Sequence, residues 1–276
     1  MTGAPDTPVA SGPEIGSAVG PAIVPETEPL EFRAEDVRRL ENISTRAWPA
    51  KEHVPLDGWF LRQSPAPTRR VNSVLANDDG GALDLDARIA EAEAFYAAHS
   101  QPPRFQLTRG SLPTGLDATL AERGYEIETP VDIQVASPAS LRYGAPTVGT
   151  CVMRDTLTSA WMEVYSGGFN RDVTEIIKRI DGQVALLSFD HEGATVGVGL
   201  GVLVDGWMGI FGMQTQPALR SRGIGSAMIA GLASWAAERD TAGLYLQVEQ
   251  SNPRARALYE RHGFRTVYTY HYRTRF

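Results

Sequence analysis

From Val196 to Val204, Val196, Val198, Leu200, Val202 and Val204 alternate with Gly197, Gly199 and Gly201. That period of two predicts a strand with one apolar face and one bare face. Asp205-Gly206 then marks a two-residue hairpin turn, and Trp207 to Thr215 returns antiparallel. His191-Glu192-Gly193 marks an earlier hairpin, so three antiparallel strands are expected between Val184 and Thr215. The bare glycine face is expected to lie close against a helix. After the break at Pro217 to Ser226, Ile224, Met228, Ile229, Leu232, Trp235 and Ala236 fall at helical spacing. Leu244 to Val248 reads as a short strand. Asn252-Pro253 opens another helix, with Asn as cap and Pro where its missing N–H costs nothing. Gly263 stops that helix, and Phe264 to Phe276 is extended.

Upstream, Ala34 to Trp48 is helical, with Val37, Leu40 and Ile43 on one side and Pro49 closing it. Gly58 to Gln63 and Arg69 to Ala76 read as strands joined by the turn-rich segment 64–67. Leu85 to His99 is an amphipathic helix and Arg104 to Thr108 a strand. Leu116 to Arg123 is a short helix ended by Gly124, and Tyr125 to Ala136 is extended. Residues 137–146 hold two prolines among small polar residues and are expected to be a linker. Beyond them, Thr147 to Arg154 is a strand, and helices are expected around Asp155 to Tyr165 and Asn170 to Ile180. Residues 1–29 are rich in Pro, Gly, Ala and Thr without periodicity, the composition of a disordered tail.

Composition narrows the class of protein. The 276 residues allow about two domains. No stretch reaches the ~18 to 20 apolar residues of a membrane helix, and the first residues lack a secretory pattern. The single cysteine, Cys151, permits no internal disulfide and suits a cytoplasmic protein. A net charge of -7 without a Lys/Arg block argues against general nucleic-acid binding.

Chemistry concentrates in Arg220-Ser221-Arg222-Gly223-Ile224-Gly225-Ser226, between a strand and an amphipathic helix. The two glycines remove side chains where an anion must approach the backbone. The first helical N–H groups have no intrahelical acceptor, and the helix dipole adds about half a positive charge there. Together these make a phosphate cradle, to which the two arginines can add charge-assisted bonds. A nucleotide P-loop is absent, and a dinucleotide fingerprint fails because position 228 is Met.

This region resembles the GNAT superfamily of acyl-CoA-dependent N-acyltransferases. Arg220, Gly223 and Gly225 match its cofactor loop Arg/Gln-x-x-Gly-x-Gly/Ala, and Met213 to Pro217 is similar to the strand before it. Asn252, Ala255, Leu258, Tyr259, Gly263 and Phe264 follow in the family's order and spacing. The resemblance covers 147–276 and implies an α/β GNAT fold, a mixed and mostly antiparallel sheet flanked by helices. It further implies acetyl transfer from acetyl-CoA to a primary amine, in a small molecule or peptide, by direct attack in a ternary complex without a metal. Met213 and Thr215 would pair with the amide arm of CoA, and the Met213 N–H would stabilise the oxyanion. Residues Arg220, Ser221, Arg222, Gly223, Ile224, Gly225 and Ser226 would hold the pyrophosphate. Asn252 would contact the CoA arm, and Tyr259 would protonate the departing thiolate. For the base, Glu249 comes first and Glu163 second, with water as the third choice.

Two other functions fit the same residues: an acyl-CoA-binding regulatory module without turnover, and transfer of a longer acyl group. His262 precedes the helix-ending glycine and suits the negative end of the dipole. Trp161, Phe169, Trp207 and Phe211 could line an acceptor pocket or belong to the core. Residues 30–136 echo the second half faintly: Leu120 to Tyr125 parallels Tyr259 to Phe264, but Leu120 falls where Tyr259 stands. They are identified by that resemblance as a degenerate GNAT-like domain before the catalytic domain at 147–276. Trp59, Arg62, Arg70 and Asn72 could reach the acceptor cleft. The C-terminal strand could pair across a homodimer.

Overall fold

The computed structural model describes residues 32–65, 68–141, 149–167, 173–239 and 241–276. The expected N-terminal tail, Phe169 and the second half of the expected linker, 142–146, lie outside these. The first part of the chain runs α1 (Ala34–Ala47), β1 (Glu52–Leu56), β2 (Trp59–Gln63), β3 (Val74–Leu75), α2 (Leu85–Ala98), β4 (Arg104–Leu107), α3 (Leu116–Glu122) and β5 (Glu126–Ala136). The second part runs β6 (Thr150–Arg154), α4 (Ser159–Ser166), α5 (Thr174–Ile177), β7 (Gln183–His191), β8 (Ala194–Val204), β9 (Trp207–Thr215), α6 (Ile224–Ala237), β10 (Gly243–Glu249), α7 (Pro253–Arg261) and β11 (Arg265–Thr274). No helix among the described residues is long and apolar enough to cross a membrane.

All eleven strands form one sheet, in the order β1-β2-β3-β4-β11-β5-β10-β9-β8-β7-β6. Two neighbouring pairs are parallel, β3 with β4 and β9 with β10, each joined through a helix, α2 or α6. Each parallel pair is followed by a short helix and a long strand, so strand–helix–strand–helix–strand occurs twice. The closing strands are exchanged: β11 inserts between β4 and β5, while β5 pairs with β10. Because β11 lies inside the sheet, bonded to β4 through His271 to Thr274, this stretch offers no edge to a second copy.

The hairpin turns follow from backbone sterics. Asp205 and Gly206 have φ of 48° and 77°, and Glu192 and Gly193 have 50° and 78°. Two consecutive positive φ angles give the turn whose twist matches paired strands. The same geometry at Asp57-Gly58 joins β1 to β2, a hairpin that the sequence expectations, which begin a strand at Gly58, do not include. Pro55 is tolerated because β1 is an edge strand. The strand expected at Arg69 to Ala76 shrinks to Val74–Leu75, with Arg69–Val71 in a 3-10 turn. The Asn72 amide accounts for this. It accepts from Ser64 N–H at 2.8 Å and donates to Thr68 O at 3.0 Å, bonds that compete with a ladder.

Helix α6 packs on the glycine face of β8. A Cβ at Gly197 would lie 2.9 Å from Ile224 Cγ2, and one at Gly201 would lie 3.2 Å from Leu232 Cδ2. Gly199 instead makes room for Met213, whose Sδ would be 2.8 Å from such a Cβ. The opposite face of the sheet packs against α1, α4 and α5 through Val198, Leu200, Val202, Phe211 and Tyr245.

One buried carboxylate ties α7 to the exchanged strands. Asp132, on β5, is 1% exposed. Its Oδ1 accepts from Gln250 Nε2 at 2.7 Å and Thr269 Oγ1 at 3.0 Å, and Oδ2 lies 3.0 Å from Arg256 Nε. Asp132→Ala is expected to cost about 2 to 3 kcal/mol, the scale of hydrogen bonds to a charged group. The midpoint of urea unfolding would show it, and an unmoved midpoint would mean that the anchor contributes nothing.

Candidate active site

The site begins where two strands part. The β9–β10 ladder runs from Trp207↔Gly243 to Ile210↔Leu246 and stops, although both strands continue. On its other side β9 stays paired with β8 to Thr215↔Gly197, with a register shift between Val198 and Leu200. Gly212, at φ 59°, sits in that shift. The bulge turns β9 away from β10 and leaves the inner edge of Met213 to Thr215 without a strand partner. Unpaired backbone groups of this kind can bond an extended ligand.

The chain then turns into α6. Ser221 and Gly223 have φ of 67° and 81°, a left-handed sequence that presents successive N–H groups to one side. A Cβ at Gly223 would meet no atom within 4 Å, so this position borders open space. At Gly225 a Cβ would lie 3.0 Å from Leu258 Cδ2, because α6 and α7 converge there. Asn252 caps α7, its Oδ1 accepting from Ala255 N–H at 3.1 Å.

These elements enclose a cleft of about 570 Å3. Every residue of the expected cofactor set except Arg222 lines it, from Met213 and Thr215 on the strand to Asn252 and Tyr259 on α7. Arg220 is tied back to the strand, its Nε donating to Thr215 O at 3.2 Å. Arg254 and Arg261 also line the cleft, and Arg254 Nη2 donates to Ser221 Oγ at 2.7 Å. Sequence reasoning missed both arginines. Their signal was the Asn-Pro cap, which places position 254 in the exposed first turn of α7.

Tyr259 is half-buried, edge-on to Phe264 with ring centroids 6.0 Å apart. Burial pushes its phenol up to about 12. Glu249 does not line the cleft: its Oε1 accepts from Arg69 Nη2 at 2.8 Å and its Oε2 from Ser251 Oγ at 3.2 Å. Alternation along β10 puts Tyr245, Gln247 and Glu249 on the face opposite α6. Glu163 is exposed on α4 and does not line the cleft.

Several aromatic and polar candidates belong to the framework. Trp161 is fully buried, its Nε1 donating to Leu187 O at 3.0 Å. Trp59 is equally buried and donates to Leu112 O at 2.9 Å. Arg62 spends its guanidinium on Ser73, Thr45 and Gln106. His262 Nε2 lies 2.8 Å from Ser226 Oγ, joining the end of α7 to the start of α6. Burial pushes the Cys151 thiol up to about 11, and it donates to Ala227 O, so it packs rather than reacts. Among the described residues no cluster of His, Cys, Asp or Glu could hold a metal ion.

Comparison with known proteins gives the family and the fold of this chain. Residues 34–276 match the family described as probable histone acetyltransferase Rv0428c C-terminal. The uncharacterized N-acetyltransferase YobR of Bacillus subtilis (strain 168) is 27% identical over 248 residues, 87% of this chain and 98% of that protein. The probable histone acetyltransferase Rv0428c of Mycobacterium tuberculosis is 26% identical over 228 residues, 79% of this chain and 68% of that one. In fold, a GCN5-related N-acetyltransferase from Kribbella flavida aligns with TM-score 0.70 at 16% identity, over 86% of this chain and 94% of its own. A tandem GNAT protein from the clavulanic acid biosynthesis pathway aligns with TM-score 0.60 at 12% identity, over 87% of each chain. The chain therefore belongs to the family described as probable histone acetyltransferase Rv0428c C-terminal, within the GNAT superfamily, and is an acyltransferase.

Proposed function

We propose that the chain moves an acetyl group from acetyl-CoA to a primary amine by direct attack within a ternary complex. The observation that carries this reading is the unpaired edge of Met213 to Thr215, in one cleft with the glycine-opened start of α6 and the Tyr259 phenol. The cradle fits the cofactor. The first N–H groups of α6, with Arg220, Arg254 and Arg261, suit a pyrophosphate, and the free strand edge suits an amide-bearing arm.

When bound, acetyl-CoA supplies the activated acyl group. The Met213 N–H would donate to the acyl oxygen as negative charge develops there. The amine nitrogen bonds to the carbonyl carbon and the C–S bond breaks. The amine proton goes to Glu249 or to water, and the Tyr259 hydroxyl gives its proton to the sulfur. Residues 30–136 would wall the acceptor side as a degenerate half without its own cofactor loop, and 147–276 would carry the chemistry. Acetyl-CoA incubated with the full chain and a panel of primary amines is expected to release thiol only when both substrates are present. Binding without release under any amine would favour a regulatory module, and tighter binding of longer acyl thioesters would shift the donor.

A further inference from the structure

Cofactor binding on the α6 side leaves the other face of the sheet for the acceptor, at the point where β9 and β10 part. Phe211, two positions before Met213, sits at that point. Its ring stacks on Trp48 at 5.1 Å and meets Tyr245 of β10 edge-on at 6.0 Å. The Arg70 guanidinium carbon lies 5.5 Å from the Phe211 ring centroid.

Arg70 differs from every arginine around it. Arg69 is paired with Glu128 and Glu249, both at 2.8 Å. Arg62 is saturated by Ser73, Thr45 and Gln106. Arg70 has no ion pair among the described residues, and its Nε is buried without a hydrogen-bond partner. Nearby acceptors are already engaged. Glu41, buried in the same core, accepts from Gln106 Nε2 at 2.7 Å on one oxygen and from Tyr268 at 2.9 Å on the other. Gln247 Oε1 accepts from Tyr270, and Gln247 Nε2 donates to Ser44. Arg70 is only partly buried, but its Nε is cut off from water without a partner. The planar fork of a guanidinium is shaped to take a carboxylate in two parallel bonds.

We propose that Arg70 anchors a carboxylate carried by the acceptor, which makes the substrate a small amino acid, with amine and carboxylate on one molecule. The inference rests on the transferase reading above. Phe211 and Met213 are two residues apart across the bulge at Gly212, at most roughly 7 Å of chain. A carboxylate held over Phe211 can therefore leave an amine on the same molecule close to the acyl carbon.

The test uses the full chain with acetyl-CoA, reading thiol release. The acceptors are the common α-amino acids and the straight series from glycine to 6-aminohexanoate, each beside its amide. At least one acid is expected to exceed its amide by ~100-fold in kcat/KM, the scale for a buried charge pair. Arg70→Gln should collapse that ratio to within about threefold, and Arg70→Lys, which keeps the charge but loses the fork, should fall between. Calorimetry should show the acetyl-CoA Kd unchanged in both variants, which also confirms that they are folded. Acids no better than amides, other amines accepted while no acid is, or an acid/amide ratio untouched by Arg70→Gln would each overturn the proposal. Failure of acetyl-CoA to bind, or of any amine to release thiol, would bring down the transferase reading and this inference with it.

Discussion

Glutamate at position 225 is expected to abolish acetyl-CoA binding, raising Kd by at least ~100-fold, about 2.8 kcal/mol. Two effects act at that position. A Cβ there would lie 3.0 Å from Leu258 Cδ2, so a longer side chain has to turn into the cleft that Gly225 and Leu258 both line. The carboxylate then takes the place of the anion it excludes, bonded to the same helix N–H groups and repelling a pyrophosphate. A glutamate in the first turn of a helix favours the dipole, so the variant should stay folded. Gly225→Ala separates bulk from charge. The atom it meets is the flexible end of Leu258, so Ala should weaken binding far less than Glu. Titration calorimetry on the three proteins, with thermal unfolding as control, decides the matter. An unchanged Kd in Gly225→Glu would remove the phosphates from this cradle.

What could be read from the sequence and what could not divide along physical lines. The alternation at 194–204, the Asp205-Gly206 turn and the Asn252-Pro253 cap are local: each residue's preference is set by neighbours within a few positions, and the structure keeps all three. The cradle was readable for the same reason, because a strand, a glycine turn and a helix start are contiguous. The exchange of β5 and β11 was not. Both read as extended strands, but which strand pairs with which depends on contacts more than a hundred residues apart, such as Tyr270↔Val131. The free edge of Met213 and Thr215 was implied only by the family resemblance, because the parting of β9 and β10 arises from a bulge at Gly212 and not from any residue pattern in β10. Arg70 stood beside Trp59, Arg62 and Asn72 as one of four candidates. Only three-dimensional packing shows that the other three are saturated by the framework and that Arg70 is not.

Tyr259→Phe should lower turnover by ~10- to 1000-fold while acetyl-CoA affinity stays the same, the range for loss of a general acid. The substitution removes one oxygen and leaves the ring in its edge contact with Phe264, so the wall of the cleft survives. Burial holds the phenol near 12, above its ordinary value near 10, so it carries its proton throughout the range in which the protein would work. An acid that weak would protonate a fully solvated thiolate poorly, since free thiols titrate near ~8.5. The leaving sulfur, however, would emerge in the same cleft, where the desolvation that raises the phenol also raises the thiol. Proton transfer, or a strong hydrogen bond in the transition state, is then close to balanced. The sign of the pH dependence follows. Turnover should rise with pH as the amine and its base lose protons, with no alkaline fall from Tyr259 until pH approaches about 12. The Phe variant should trace the same curve at reduced height. Turnover within twofold of wild type would take Tyr259 out of the chemistry, and an alkaline fall below pH 10 that vanishes in the variant would show that the phenol ionises far more easily than its burial implies.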